Sequence, residues 1–134
     1  MTRQRVPSQE LIPAPCQEAC PAGVDAARYI RLIREGKFDE ALAVNREKIP
    51  FPLVCGYACY SFCEKSCTAK YFHSPIAIRA LKRLAAEKGG DTWRKNLVIA
   101  PDSGKKVAIV GSGPSGLTAA YYLRCLGHAV TVYE

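Results

Sequence analysis

No stretch of this sequence approaches the roughly 20 consecutive apolar residues that a membrane span requires, so no span is expected. Residues 1–9 carry Arg3 and Arg5 but no apolar segment behind them. That stretch does not read as a secretory leader, and a cytoplasmic protein is expected. No low-complexity tract is present. Basic residues outnumber acidic ones, giving a formal net charge of +7, yet they form no run. Such a balance favours acidic partners and nucleotide phosphates. Without a basic, aromatic-interleaved motif, nucleic acid is not an expected partner. Histidine is scarce: His73 and His128 stand alone, with no carboxylate partner in sequence. They read as surface or packing residues, and the sequence offers no general base or nucleophile.

Cysteine, by contrast, is abundant. The 134 residues include seven, an odd number, which argues against complete disulfide pairing. With no sign of export, reduced thiols are the better reading. Cys55, Cys59, Cys63 and Cys67 recur every fourth position, and Cys16 and Cys20 repeat that spacing immediately before Pro21. Repeated thiolate donors, with a run closed by proline, are how iron–sulfur ligands are commonly written. The same spacing fits one face of a helix, but Gly56, Tyr57, Tyr60, Ser61 and Ser66 make residues 55–67 a poor helix by propensity. Tetrahedral Cys₄ zinc uses similar donors, so a zinc-stabilised helical interaction module without redox function is the alternative. Cys125 reads as a packed thiol.

The surrounding chain predicts helices. Residues 1–15 are punctuated by Pro7, Pro13 and Pro15 and read as an extended arm. From Asp25 a helical pattern carries Tyr29, Ile30 and Ile33 on one side and ends at Gly36. A second helix, over 39–48, presents Phe38, Ala41, Leu42 and Ile49 and is stopped by Pro50 and Pro52. The two form a hairpin able to return Cys20 beside Cys55. A third helix is predicted from Ser74, as N-cap, and Pro75 to Lys88. Ile78, Leu81, Leu84 and Ala85 face inward on it; Arg79, Lys82, Arg83 and Lys88 stay wet. After a connector, Pro101-Asp102-Ser103-Gly104 is a turn signal and the expected domain boundary.

The last thirty residues hold a different chemistry. A short buried strand over 106–110 leads into Gly111-Ser112-Gly113-Pro114-Ser115-Gly116. A helix follows over 115–126, with Leu117, Ala120 and Leu123 toward a sheet, and then a strand over 129–133. Glu134 stands roughly 20 residues beyond the last glycine, the spacing of a dinucleotide fingerprint. Gly111 makes the tight turn, Gly113 admits a pyrophosphate and Gly116 lets the helix approach the strand. Amides at the helix start attract phosphate, and Glu134 is placed to accept from an adenosine ribose. Two strands do not complete a doubly wound sheet, so the chain is expected to be part of a longer enzyme, and to be inactive alone.

Taken together, Cys16-Gln-Glu-Ala-Cys20-Pro21, the helical hairpin, Cys55-Gly56-x-x-Cys59, Cys63, Cys67, the third helix and VAIVGSGPSGLTAA form one pattern. It resembles the N-terminal region of the glutamate synthase small-subunit family. That family includes the N-terminal part of dihydropyrimidine dehydrogenase and the flavin subunits of electron-bifurcating transhydrogenases. The resemblance implies a mainly α fold: an α-helical [4Fe-4S] domain over 1–100, then the first β-α-β unit of a Rossmann-type FAD domain over 105–134. It implies electron transfer from NAD(P)H to FAD and through clusters to the remainder of the flavoprotein or a redox partner subunit. By position, Cys20, Cys59 and Cys63 match three ligands of one cluster. The family's fourth ligand, Gln or Glu, falls near Lys82, and Cys55 is the expected substitute. Cys16 and Cys67 match two ligands of a second cluster, whose others fall near Ser8 and Leu11. One cluster is therefore expected, and a second only with a donor from elsewhere.

Overall fold

A computed structural model describes residues 12–134. The reading at Ser8 and Leu11 lies outside the described residues. The described elements run α1 (Pro15–Glu18), α2 (Ala26–Arg34), α3 (Phe38–Arg46), α4 (Pro52–Ala58), α5 (Phe62–Lys65), a 3₁₀ turn (Thr68–Tyr71), α6 (Ile78–Lys88), a second 3₁₀ turn (Thr92–Asn96), β1 (Lys106–Val110), α7 (Pro114–Cys125) and β2 (Ala129–Tyr133).

The hairpin forms as its sequence requires. Asp25 caps α2, its carboxylate accepting from the Arg28 amide at 3.0 Å. Gly36 takes a positive φ of 75° in the turn to α3. Pro52 opens α4 at a position where its missing N–H costs nothing. The helices gather around Val24, Ala26, Tyr29, Ala41, Val44, Cys63, Ile78 and Ala85, all buried. Tyr29 crosses this core, and its hydroxyl donates to the Ile78 carbonyl at 2.9 Å, tying α2 to the start of α6.

Residues 55–67 break as their propensities predict. α4 ends at Cys59, whose backbone turns extended, and α5 starts only after Ser61. Ser61 is left-handed, at φ 54°, and buried. A non-glycine residue there carries strain that the surrounding packing must hold.

Two expectations for α6 need correction. The helix begins at Ile78, with Ala77 as N-cap, rather than at Ser74-Pro75. A distant carboxylate replaces the serine cap: Glu64 accepts from the Arg79 amide at 2.8 Å. Lys82 is not wet; it is 5% exposed. The reason lies in how closely α4 and α6 pack. A Cβ on Gly56 would stand 2.8 Å from the Arg83 Cβ, so only glycine fits there. This contact turns the Ile78, Lys82 and Ala85 side of α6 inward.

β1 and β2 pair in parallel, Lys106 opposite Ala129 through Val110 opposite Tyr133, and α7 is the crossover helix that parallel neighbours need. Side chains alternate between half-buried and exposed along both strands. Ala120 and Leu123 are half-buried as expected, whereas Leu117 is 37% exposed.

Candidate iron–sulfur and nucleotide sites

The two cysteine segments converge. α1 carries Cys16, and Cys20 follows it; α5 carries Cys63. These three thiols line one narrow cavity with Lys82, walled by Val24, Ala26, Tyr29 and Ile78. The remaining thiols divide around it. Cys55 lies within electrostatic reach of Cys59, Cys20 and Lys82, and Cys63 within reach of Lys82 and Cys20. Cys16 is likewise close to Cys67. Both border a second cavity of about 230 Å³, with Ala27, Ile30, Ile76 and Ile78 in its wall. Cys125 is half-buried at the end of α7 and lines neither of these two cavities.

Burial raises the pKa values of the Cys16, Cys55 and Cys63 thiols above the usual range, because an apolar wall disfavours thiolate. At Cys55 and Cys63 the nearby Lys82 charge opposes that rise. Burial also pushes the Tyr29 hydroxyl upward, and Cys63, Cys16 and Cys20 add to the effect. Tyr29 thus remains a neutral donor against the thiol cavity.

The Cys59 loop is held on both sides. The Ser61 amide points at the Cys59 sulfur, at 3.4 Å, the kind of N–H···S contact that stabilises a ligating sulfur. Arg79 donates to the Cys59 carbonyl at 3.0 Å. The left-handed Ser61 backbone therefore serves a purpose: it aims an amide at sulfur.

Zinc draws its donors to about 2.3 Å from a single ion, whereas a cuboidal cluster takes each thiolate at a separate iron. The donor set is all thiol, drawn from separate segments, with apolar walls and an amide on sulfur. It fits an iron–sulfur cluster.

The nucleotide loop has the geometry its glycines predict. Gly111 takes φ 100° at the end of β1. A Cβ on Gly116 would collide with the Gly111 carbonyl, so α7 reaches the strand only with glycine there. Around Gly113 the space is open, leaving its backbone free to meet a phosphate. Pro114 and Ser115 open α7. The Glu134 carboxylate accepts from the Ser112 amide, and the Ser112 hydroxyl and amide together hold its pKa below the usual carboxylate range. Glu134 therefore sits beside the loop, at the end of the second strand.

Residues 11–92 match the family described as dihydropyrimidine dehydrogenase domain II, 4Fe-4S cluster. The chain belongs to this family. Residues 109–134 match an NAD(P)-binding Rossmann-like domain. Among similar proteins, the NADPH-Fe(3+) oxidoreductase subunit beta of Geobacter sulfurreducens is 42% identical over 90% of this chain and 18% of its own length. The NADP(+)-dependent formate dehydrogenase subunit beta of Moorella thermoacetica is 37% identical over 92% of this chain and 20% of its own. The NAD-dependent dihydropyrimidine dehydrogenase subunit PreT of Salmonella typhimurium is 36% identical over 90% and 30%. The chain thus spans less than a third of each of these relatives. No helix among the described residues is long and apolar enough to cross a membrane.

Two site residues, Tyr29 and Ser61, escape the sequence reading, and Lys82 enters it only as the position where the resemblance places a fourth ligand, with its side chain expected in solvent. Lys82 left a signal: it falls on the i, i+4, i+7 stripe with Ile78 and Ala85, the spacing of a core face. Tyr29 was recognised as apolar but not as a wall of the thiol cavity. Ser61 left none, because its left-handed backbone arises from the fold.

Proposed function

We propose that this chain is the electron-relay segment of an NAD(P)H-dependent FAD and iron–sulfur oxidoreductase, passing electrons between flavin and one [4Fe-4S] cluster. The observation that carries the reading is the meeting of the two cysteine segments, Cys20 beside Cys63 in one cavity and both Cys20 and Cys59 within electrostatic reach of Cys55. The relatives are named as NAD(P)-dependent oxidoreductase subunits, which supports the same reading.

When bound, the cluster supplies one-electron storage, its potential set by hydrogen bonds to sulfur, local charge and solvent access. The chain's residues would do the rest. Cys20, Cys59 and Cys63 hold the cluster, with Cys55 as fourth ligand; its closeness to Cys20, Cys59 and Lys82 favours that role. The Ser61 amide tempers the Cys59 sulfur. Val24, Tyr29 and Ile78 exclude water. A second cluster would use Cys16 and Cys67, completed by donors from elsewhere.

In the second unit, the amides of Ser112, Gly113 and Ser115 at the start of α7 would bind the FAD pyrophosphate. Glu134 would exchange the Ser112 amide for ribose hydroxyls. The domain division is proposed at Pro101–Gly104, giving units 1–100 and 105–134. A cytoplasmic setting suits the reduced thiols, and the remainder of the flavoprotein or a partner subunit would receive the electrons.

Anaerobic purification of the full-length protein tests the reading. The expected product is brown and carries iron and sulfide in equal amounts. Cys59→Ser and Cys63→Ser should each lose that iron. A colourless protein with stoichiometric zinc and no sulfide would overturn the proposal in favour of a structural zinc module.

A further inference from the structure

Lys82 is the least expected residue in the thiol cavity. It is 5% exposed, and it shares that cavity with Cys16, Cys20 and Cys63. No ion pair found among the described residues includes it. The carboxylates on neighbouring turns are engaged elsewhere. Glu64 accepts from the Arg79 amide; Glu87 lies 3.6 Å from Arg83 and accepts from the Tyr57 hydroxyl. A buried ammonium without a counter-ion is strongly disfavoured. The fold nevertheless places this side chain in the wall of a cavity that three cysteines share, with Cys55 nearby.

We propose that Lys82 is the fixed counter-charge of the iron–sulfur centre, raising its reduction potential and stabilising its reduced form. The proposal rests on the cluster reading above. A thiolate-bound [4Fe-4S] centre carries net negative charge, and reduction by one electron from the flavin side adds another without making or breaking a bond. A cation held close in a low-dielectric wall stabilises the more negative, reduced state more than the oxidised one. Conversely, the anionic cluster supplies the partner that Lys82 lacks. The lysine stands where the resemblance places a Gln or Glu ligand. The position has therefore exchanged a donor for a charge, and Cys55 is free to take the fourth iron.

The test is a redox titration of the full-length protein under anaerobic conditions, with the reduced cluster followed by electron paramagnetic resonance. Lys82→Met and Lys82→Leu, neither of which can ligate iron through oxygen or nitrogen, should both shift the midpoint to more negative potential, while Lys82→Arg should stay near wild type. Equal midpoints in all four proteins would overturn the proposal. If the two neutral variants assemble no cluster but Lys82→Arg does, charge is required for assembly, which supports it. If Lys82→Arg also loses iron, the site needs the shape of lysine rather than its charge, and the counter-charge role falls. Failure of the underlying reading would appear earlier and separately, as wild-type protein without iron and sulfide.

Discussion

The Tyr29 hydroxyl joins two helices and walls a cofactor cavity at once. Tyr29→Phe removes the donor to the Ile78 carbonyl and leaves that buried acceptor unpaired. The expected loss is about 1–3 kcal/mol, measured as a lower thermal midpoint, with iron still bound. A variant that is fully stable would mean the carbonyl finds another donor. The residue scale is also where the sequence was least legible. The cysteines announce themselves by spacing, because thiolate donors are chemically rare and their repetition is hard to produce by chance. Lys82 and Ser61 do not. A lysine within an apolar stripe reads as a solvated side chain unless its neighbours are known to need a charge. A serine in a left-handed conformation is dictated by the turn between α4 and α5, which no local preference of Ser61 encodes.

At the scale of elements, the contact of α4 with α6 positions the cysteine loop. Gly56 lies between Cys55 and Cys59 and touches the Arg83 backbone and Cβ. Gly56→Val should force the helices apart, costing about 1–3 kcal/mol from overpacking and lowering iron content in anaerobic preparations. Normal iron in that variant would show that the loop tolerates displacement. Gly89 plays a similar part at the other end of α6, where a Cβ would meet Leu42 at 2.8 Å. Helix existence was legible here, since α2, α3, α6 and α7 all follow apolar periodicity and glycine or proline stops. The start of α6 was not, because Ser74-Pro75 is a valid local signal overruled by Glu64 reaching across from α5. The two short helices around the cysteines were legible only as a break in helix propensity.

Across the whole molecule, the helical part and the Rossmann unit touch at defined points. The Arg46 guanidinium stacks 3.4 Å over the Trp93 ring and lies 5.9 Å from that of Tyr121. The Tyr122 hydroxyl donates to the Lys48 carbonyl at 3.0 Å. Trp93 is the sole tryptophan, so its fluorescence reports this contact. Arg46→Ala should change Trp93 emission and cost about 1 kcal/mol of stability; unchanged emission would show that the stack does not form in solution. In the full-length protein, Gly116→Val should drive α7 away from β1 and abolish flavin binding, read from absorbance, while leaving cluster iron intact. Full flavin retention would remove the phosphate-loop assignment. This organisation was legible as two motifs in order, since each carries its own spacing rule. The docking of one against the other was not, because Arg46, Trp93 and Tyr121 are far apart in sequence and share no pattern. Cys16 gives a last consequence. Its sulfur is a party wall between two chambers, one reaching Cys20 and Cys63, the other Cys67. A change at Cys16 is therefore felt on both sides, and Cys16→Ser would alter the lining of both chambers.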